Sequence, residues 1–197
     1  MGNCFQTSPQ PQSQPTAINL SNQDIPRLDY AGRVFLAYCT DVVDGDTVKL
    51  NIQTHIGTYQ YSVRLAHLDS PELKSVDALE KRHAQACKLF LKQLLWHKFC
   101  VIKCGKLDKF GRLLGDLYVG HDASAAHDSI KTCDLTMNDV LEISQIEPGG
   151  VLSEKYVAIN NFLLAQTPCV PYDGRVKMPF YLKAQYHPTY IEILKTL

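Results

Sequence analysis

From Arg33 onward the apolar residues fall into short runs whose period shifts between strand-like and helix-like spacing. Val34-Phe35-Leu36-Ala37-Tyr38-Cys39 is a near-continuous apolar run, which predicts a largely buried strand. Asp44-Gly45 is a turn signal, and Thr47-Val48-Lys49-Leu50-Asn51-Ile52 alternates as a second strand. His55-Ile56-Gly57 marks a loop before a third strand in which Tyr61, Val63 and Leu65 share a face. The period then lengthens. Leu79, His83, Ala86, Phe90 and Leu94 fall on one stripe of a helix capped by Ser75 or Asp77 and running to about His97. Phe99 to Lys103 and Leu113 to Val119 predict two more strands, joined across the Gly105–Gly111 loop. A second helix is predicted from Ser153, as its cap, to Gln166, and the last thirty residues read as irregular. The order is three strands, helix, two strands, helix. That predicts a mainly β, α+β fold: a five-stranded OB-type barrel with a helix after strand 3 and a C-terminal helix.

The 197 residues fit one domain, and no apolar run approaches the roughly 18 residues of a membrane-spanning helix. Residues 1–30 are rich in Gln, Pro and Ser, too poor in apolar residues to offset their ordering entropy, and are expected to form a flexible tail. The domain is expected over 31–180, with a weakly periodic insert near 121–150 and an extension over 181–197. The start of the chain lacks the basic and apolar regions of a secretory signal, so an intracellular protein is expected. Seven irregularly spaced cysteines suit a reducing compartment and small buried hydrophobes better than a disulfide framework or a zinc site.

A net charge of zero conceals a segregation. Residues 121–155 carry two bases against seven acids, and residues 1–30 one base against two. The remainder holds 17 bases and 11 acids, a net +6, as expected of a body that meets polyanions. Within that body, antiparallel pairing sets the start of strand 2 beside the end of strand 3. Asp46 opens strand 2, Arg64 lies near the end of strand 3, and Asp69 and Glu72 follow it closely. Three carboxylates and an arginine therefore gather at one rim. Like charges so crowded repel unless a cation lies between them, and carboxylates and carbonyls favour a hard divalent ion. Taken singly, Asp44 and Asp46 also read as turn formers, and Asp69 to Glu72 as a helix cap.

Three segments carry a resemblance: Val43-Asp44-Gly45-Asp46-Thr47-Val48, Arg64-Leu65-Ala66-His67-Leu68-Asp69-Ser70-Pro71-Glu72, and Asp108-Lys109-Phe110-Gly111-Arg112. Their order and spacing resemble the successive motifs of the staphylococcal nuclease (thermonuclease) family, strongly over 33–119 and weakly over 153–174. The resemblance implies an OB barrel, one calcium ion and hydrolysis of DNA and RNA phosphodiesters, with single strands preferred and 3′-phosphates left. It implies that Asp46, Asp69 and the Ser70 backbone carbonyl bind the ion, while Glu72 orients or deprotonates the attacking water. Arg64 and Arg112 would grip the phosphoryl oxygens, suiting a planar fork better than a point charge.

Lys109 is a candidate phosphate contact, Phe110 a stacking face where the family often has Tyr, and Tyr172 a residue that stacks on a base or packs. Ser70 stands where the family more often has Thr. His67 is expected to be packed or hydrogen-bonded rather than a ligand. An oxygen-rich site also admits manganese or magnesium. The alternative is a barrel of this family that has lost catalysis and binds nucleic acid or protein; such a domain would lack several of the five charged residues. Gly2 and Cys4 make an imperfect dual-acylation motif, with Gln6 where Ser or Thr is wanted, and suggest a membrane-anchored N-terminus. The acidic stretch either shields the basic groove or is a solvated loop.

Overall fold

The structure, a computed structural model, describes residues 28–121, 135–146 and 152–180. Among these, five strands close a barrel: β1 (Val34–Val42), β2 (Thr47–Thr54), β3 (Gly57–Leu65), β5 (Phe99–Leu107) and β6 (Leu113–Gly120). A short β4 (Leu68–Asp69) follows β3, and α1 (Ala78–Leu95) separates it from β5. The sheet order β3-β2-β1-β5-β6 closes where β3 runs parallel to β6, with Val63, Arg64 and Leu65 opposite Leu113, Leu114 and Gly115. The expected OB-type barrel is present. Alternation fills it: Val48, Leu50 and Ile52 of β2 point inward with Val63 and Leu65, while Cys100, Ile102 and Cys104 enter from β5. Cys39, Cys87, Cys100, Cys104 and Cys169 are all free and buried.

Helix α1 begins where the sequence allows it to: Asp77 Oδ1 accepts from Leu79 N (2.7 Å) and Glu80 N (3.0 Å), a side-chain N-cap. Its buried face is rotated from the expected stripe. Ala84, Cys87, Leu91 and Leu95 are fully buried beside His83 and Leu94, whereas Leu79 is 49% exposed and Phe90 stacks on Phe162 at 5.7 Å. Small side chains lead this face because the backbone approaches closely. A Cβ on Gly45 would lie 2.8 Å from Cys87 Cβ.

Two other elements depart from the sequence pattern. The stretch expected to start a helix at Ser153 instead forms strand β7 (Tyr156–Ala158), and helix α3 is only Ile159–Gln166, with Ala158 at its cap. β7 pairs antiparallel with β6, so the edge amides of β6 gain partners that helical chain would deny them. Within the acidic segment lies α2 (Met137–Ser144), started by Asp139 Oδ2 accepting from Thr136 N (2.5 Å) and Oγ1 (2.7 Å). Val140 and Ile143 of α2 cover Val101 on the outer face of β5, which explains why that strand is apolar on both faces. Tyr30, expected at the end of the tail, is buried, edge-on to Phe35 (5.5 Å) and Tyr61 (5.9 Å). A two-residue strand, β8 (Val170–Pro171), pairs with β4. Among the described residues no helix is long and apolar enough to cross a membrane.

Candidate active site at the barrel rim

The register of β2 on β3 sets Thr47 opposite Arg64, so Asp46 lies at the mouth of the barrel beside the end of β3. Arg64 is the hub. Its Nη1 donates to Asp46 Oδ2 (2.7 Å) and its Nη2 to Asp69 Oδ1 (3.2 Å) and the Leu68 carbonyl (3.2 Å). Both carboxylates are nearly solvent-free, with side-chain exposures of 5% and 1%. Burial alone would lower the guanidinium's pKa, but Asp46 and Asp69 raise it above its ordinary value. The second strand of the network reaches Arg112. Asp46 Oδ1 accepts from Thr47 Oγ1 (2.9 Å), and Thr47 Oγ1 accepts from Arg112 Nη1 (3.3 Å). Ser70 N donates to Asp46 Oδ2 (3.2 Å), which ties β4 to the β1–β2 turn.

Asp44 belongs to the same turn. Its Oδ1 accepts from Asp46 N (3.0 Å), and burial together with the Asp46 charge pushes its carboxyl up to about 6. Gly45 lets this turn sit against β4 and α1, since a Cβ there would lie 2.9 Å from Ser70 Cβ. Arg112 is aimed by its own hairpin. Asp108 accepts from the amides of Phe110 (2.8 Å) and Arg112 (2.9 Å) and from Arg112 Nε (2.8 Å). Burial tends to raise the Asp108 carboxyl, but these donors hold it below the usual range. Gly111, at φ +77, supplies the left-handed residue this turn needs.

Glu72 is placed differently. Its side chain is 52% exposed and, among the described residues, makes no ion pair with an arginine; it pairs with Lys177 Nζ, which also lies 3.3 Å from Asp69 Oδ1. Burial lowers the Lys177 ammonium, but Glu72 and Asp69 outweigh it and raise it above its ordinary value. The Glu72 amide donates to Glu80 Oε1 of α1 (3.1 Å). Lys109 and Phe110 project from the hairpin tip into solvent, Phe110 with Arg112 Cζ 5.5 Å from its ring centroid. Tyr172 faces Arg64, whose Cζ lies 5.6 Å from the ring centroid, and forms one wall of an open cleft with His67, Pro171 and Met178. His67 is not packed as expected. It is exposed at φ +63, a strained backbone for a side-chain-bearing residue, and its carbonyl accepts from Tyr172 N (3.0 Å). Gly2 and Cys4 lie outside the described residues, as does most of the acidic segment.

Sequence reasoning missed Thr47, Asp108, Glu80, Lys177 and Asn160. Buried Asn160 accepts from Leu117 N (3.1 Å) and donates to the Ala66 (3.0 Å) and Gly115 (3.1 Å) carbonyls, fastening the β3–β4 turn to β6. None of these five carried a local signal except Thr47 and Asp108, which lie within the first and third motifs.

A hard divalent ion requires several oxygens. The paired Asp46 and Asp69 carboxylates, with the chain turning through Ser70 between them and solvent, fit that chemistry. Among the described residues, however, no three His, Cys, Asp or Glu side chains close on one point, and Glu72 pairs with Lys177.

A closed five-stranded barrel with guanidinium groups set among rim carboxylates defines an OB-type domain. Residues 62–132 match the family model of staphylococcal nuclease homologues. The match spans Arg64, Asp69, Ser70, Glu72 and Arg112. Asp46 precedes it and is joined to it by the Arg64 contact. No curated protein matches the chain.

Proposed function

We propose that the protein is a calcium-dependent endonuclease that hydrolyses phosphodiester bonds of DNA and RNA at this rim, prefers single strands and leaves 3′-phosphates. The observation that carries the reading is the Arg64 bridge between two buried aspartates from separate strands, with Arg112 linked to the same cluster through Thr47. Buried charges this dense cost several kcal/mol each to desolvate and are a poor way to hold a barrel together. A ligand that carries both signs of charge, a phosphodiester with its counter-cation, uses every one of them.

The roles are those that the family resemblance implies for these positions. Asp46, Asp69 and the Ser70 carbonyl would hold the calcium ion, which would supply Lewis acidity and neutralise the diester. Arg64 and Arg112 bind phosphoryl oxygens, Arg112 at the departing oxygen. Glu72, exposed to water at the mouth, positions or deprotonates the nucleophile. Tyr172 and Phe110 offer faces on either side for bases, each contact worth ~1–3 kcal/mol, and Lys109 meets a neighbouring phosphate. Loss of a general base costs about 10²–10⁴ in rate. The Lys177 contacts favour a second reading, a barrel that binds nucleic acid without cutting it.

Digestion of a 5′-labelled single-stranded oligonucleotide with calcium tests the proposal, followed by extension of the fragments with a polymerase before and after phosphatase. Fragments extendable only after phosphatase are expected. An oligonucleotide that is bound but stays intact at all calcium concentrations would establish the binding module instead.

A further inference from the structure

The segment after β8 returns across the mouth of the barrel. Tyr172 N donates to the His67 carbonyl, Gly174 turns the chain at φ +87, and Lys177 arrives with its ammonium between Asp69 Oδ1 (3.3 Å) and Glu72. Asp69 is the most buried carboxylate of the site, and the same oxygen that faces Lys177 also accepts from Arg64 Nη2 (3.2 Å). The charges are then nearly balanced without any ion: Asp46, Asp69 and Glu72 face Arg64 and Lys177, with Arg112 engaged by Asp108. A divalent ion sits roughly 2.3–2.6 Å from each oxygen it binds. An ion on Asp69 would stand within a few ångströms of the ammonium, and two cations at that distance repel each other.

We infer that Lys177 is a tethered competitor of the divalent cation, so that the site fills only when calcium is concentrated enough to displace it from Asp69 and Glu72. The inference rests on the functional reading above and adds the residue that sets the cation threshold. Displacement is mechanically easy. The Lys177 side chain is 49% exposed, on a four-carbon stem, and it joins the cluster from a loop rather than from a strand. Release also delivers Glu72: once Lys177 leaves, that carboxylate is free to turn toward the mouth. By thermodynamic reciprocity, the factor by which Lys177 weakens the ion is the factor by which the ion loosens Lys177.

The test is isothermal titration of calcium into the intact protein, wild type beside Lys177→Met and Lys177→Arg, with melting temperatures recorded in chelator and in calcium. A half-exposed ion pair is a modest competitor, so Lys177→Met is expected to bind calcium roughly 3- to 10-fold more tightly than wild type, while Lys177→Arg, which keeps the charge, stays close to wild type. Amine labelling read by mass spectrometry supplies a second readout: modification of Lys177 should rise when calcium is added to wild type. Equal calcium affinity in all three proteins, or labelling indifferent to calcium, would overturn the role of Lys177 and leave the metal site standing. No calcium binding by any of them would sink the metal reading and this inference with it.

Discussion

Replacing Arg64 by Met keeps the apolar stem in the barrel wall and deletes the guanidinium between Asp46 and Asp69. Both carboxylates are almost entirely out of water, and removing one partner of a buried pair typically costs about 3–5 kcal/mol because a charge is left uncompensated. Here the remaining donors soften the loss. Asp46 keeps the Thr47 hydroxyl and the Ser70 amide, and Asp69 keeps Lys177, so the expected cost is near the lower end, about 3 kcal/mol. For a chain of this size that is a fall of roughly 6–12 °C in melting temperature. Calorimetry in chelator measures it. Adding Asp46→Asn to Arg64→Met removes one of the two stranded charges and should recover part of the loss, a coupling of about 0.5–3 kcal/mol. Calcium should stabilise Arg64→Met more than wild type, since the ion takes over the neutralising role. A variant melting within about 2 °C of wild type in chelator would refute the claim that the aspartates depend on Arg64.

Three further outcomes follow from the geometry. Asn160→Ala should cost about 1–3 kcal/mol in urea unfolding, because it strands the Leu117 amide and the Ala66 carbonyl. Gly45→Ala puts a methyl 2.8 Å from Cys87 Cβ and 2.9 Å from Ser70 Cβ; it should destabilise by about 1–3 kcal/mol and weaken calcium affinity by parting Ser70 from Asp46. Burial tends to raise the Asp139 carboxyl, but Lys155, Thr136 and Tyr156 outweigh it and hold it well below its ordinary value of 3.8. Protons therefore bind the unfolded chain first, so the stability Asp139 supplies is full above about pH 4 and is lost as pH falls below it. Asp139→Asn should then unfold more readily than wild type at pH 7, with the difference shrinking toward pH 2 in denaturant titrations.

What was legible in the sequence was what neighbouring residues decide. The alternation of Val48, Leu50 and Ile52 specified β2, Ser75 and Asp77 marked the start of α1 to within two residues, and antiparallel logic alone brought Asp46 to Arg64. Features decided by distant partners were not legible. Tyr156 to Ala158 take a strand because β6 has an open edge, and the buried stripe of α1 turns because Gly45 admits Cys87 at close range. Two turns of α2 are too short for periodicity, although Thr136 and Asp139 already carried its capping signal. Lys177 lay more than a hundred residues from Asp69 and Glu72, with nothing in its surroundings to mark it.

By the proposed function, the rim carboxylates and arginines cut a phosphodiester with the help of a divalent ion. Single-stranded DNA incubated with wild type in calcium, wild type in chelator, and Glu72→Gln in calcium tests it most directly. Fragments are expected to accumulate in the first, none in the second, and at least about 100-fold more slowly in the third. The same extent of cleavage in all three, or none in the first, would contradict it.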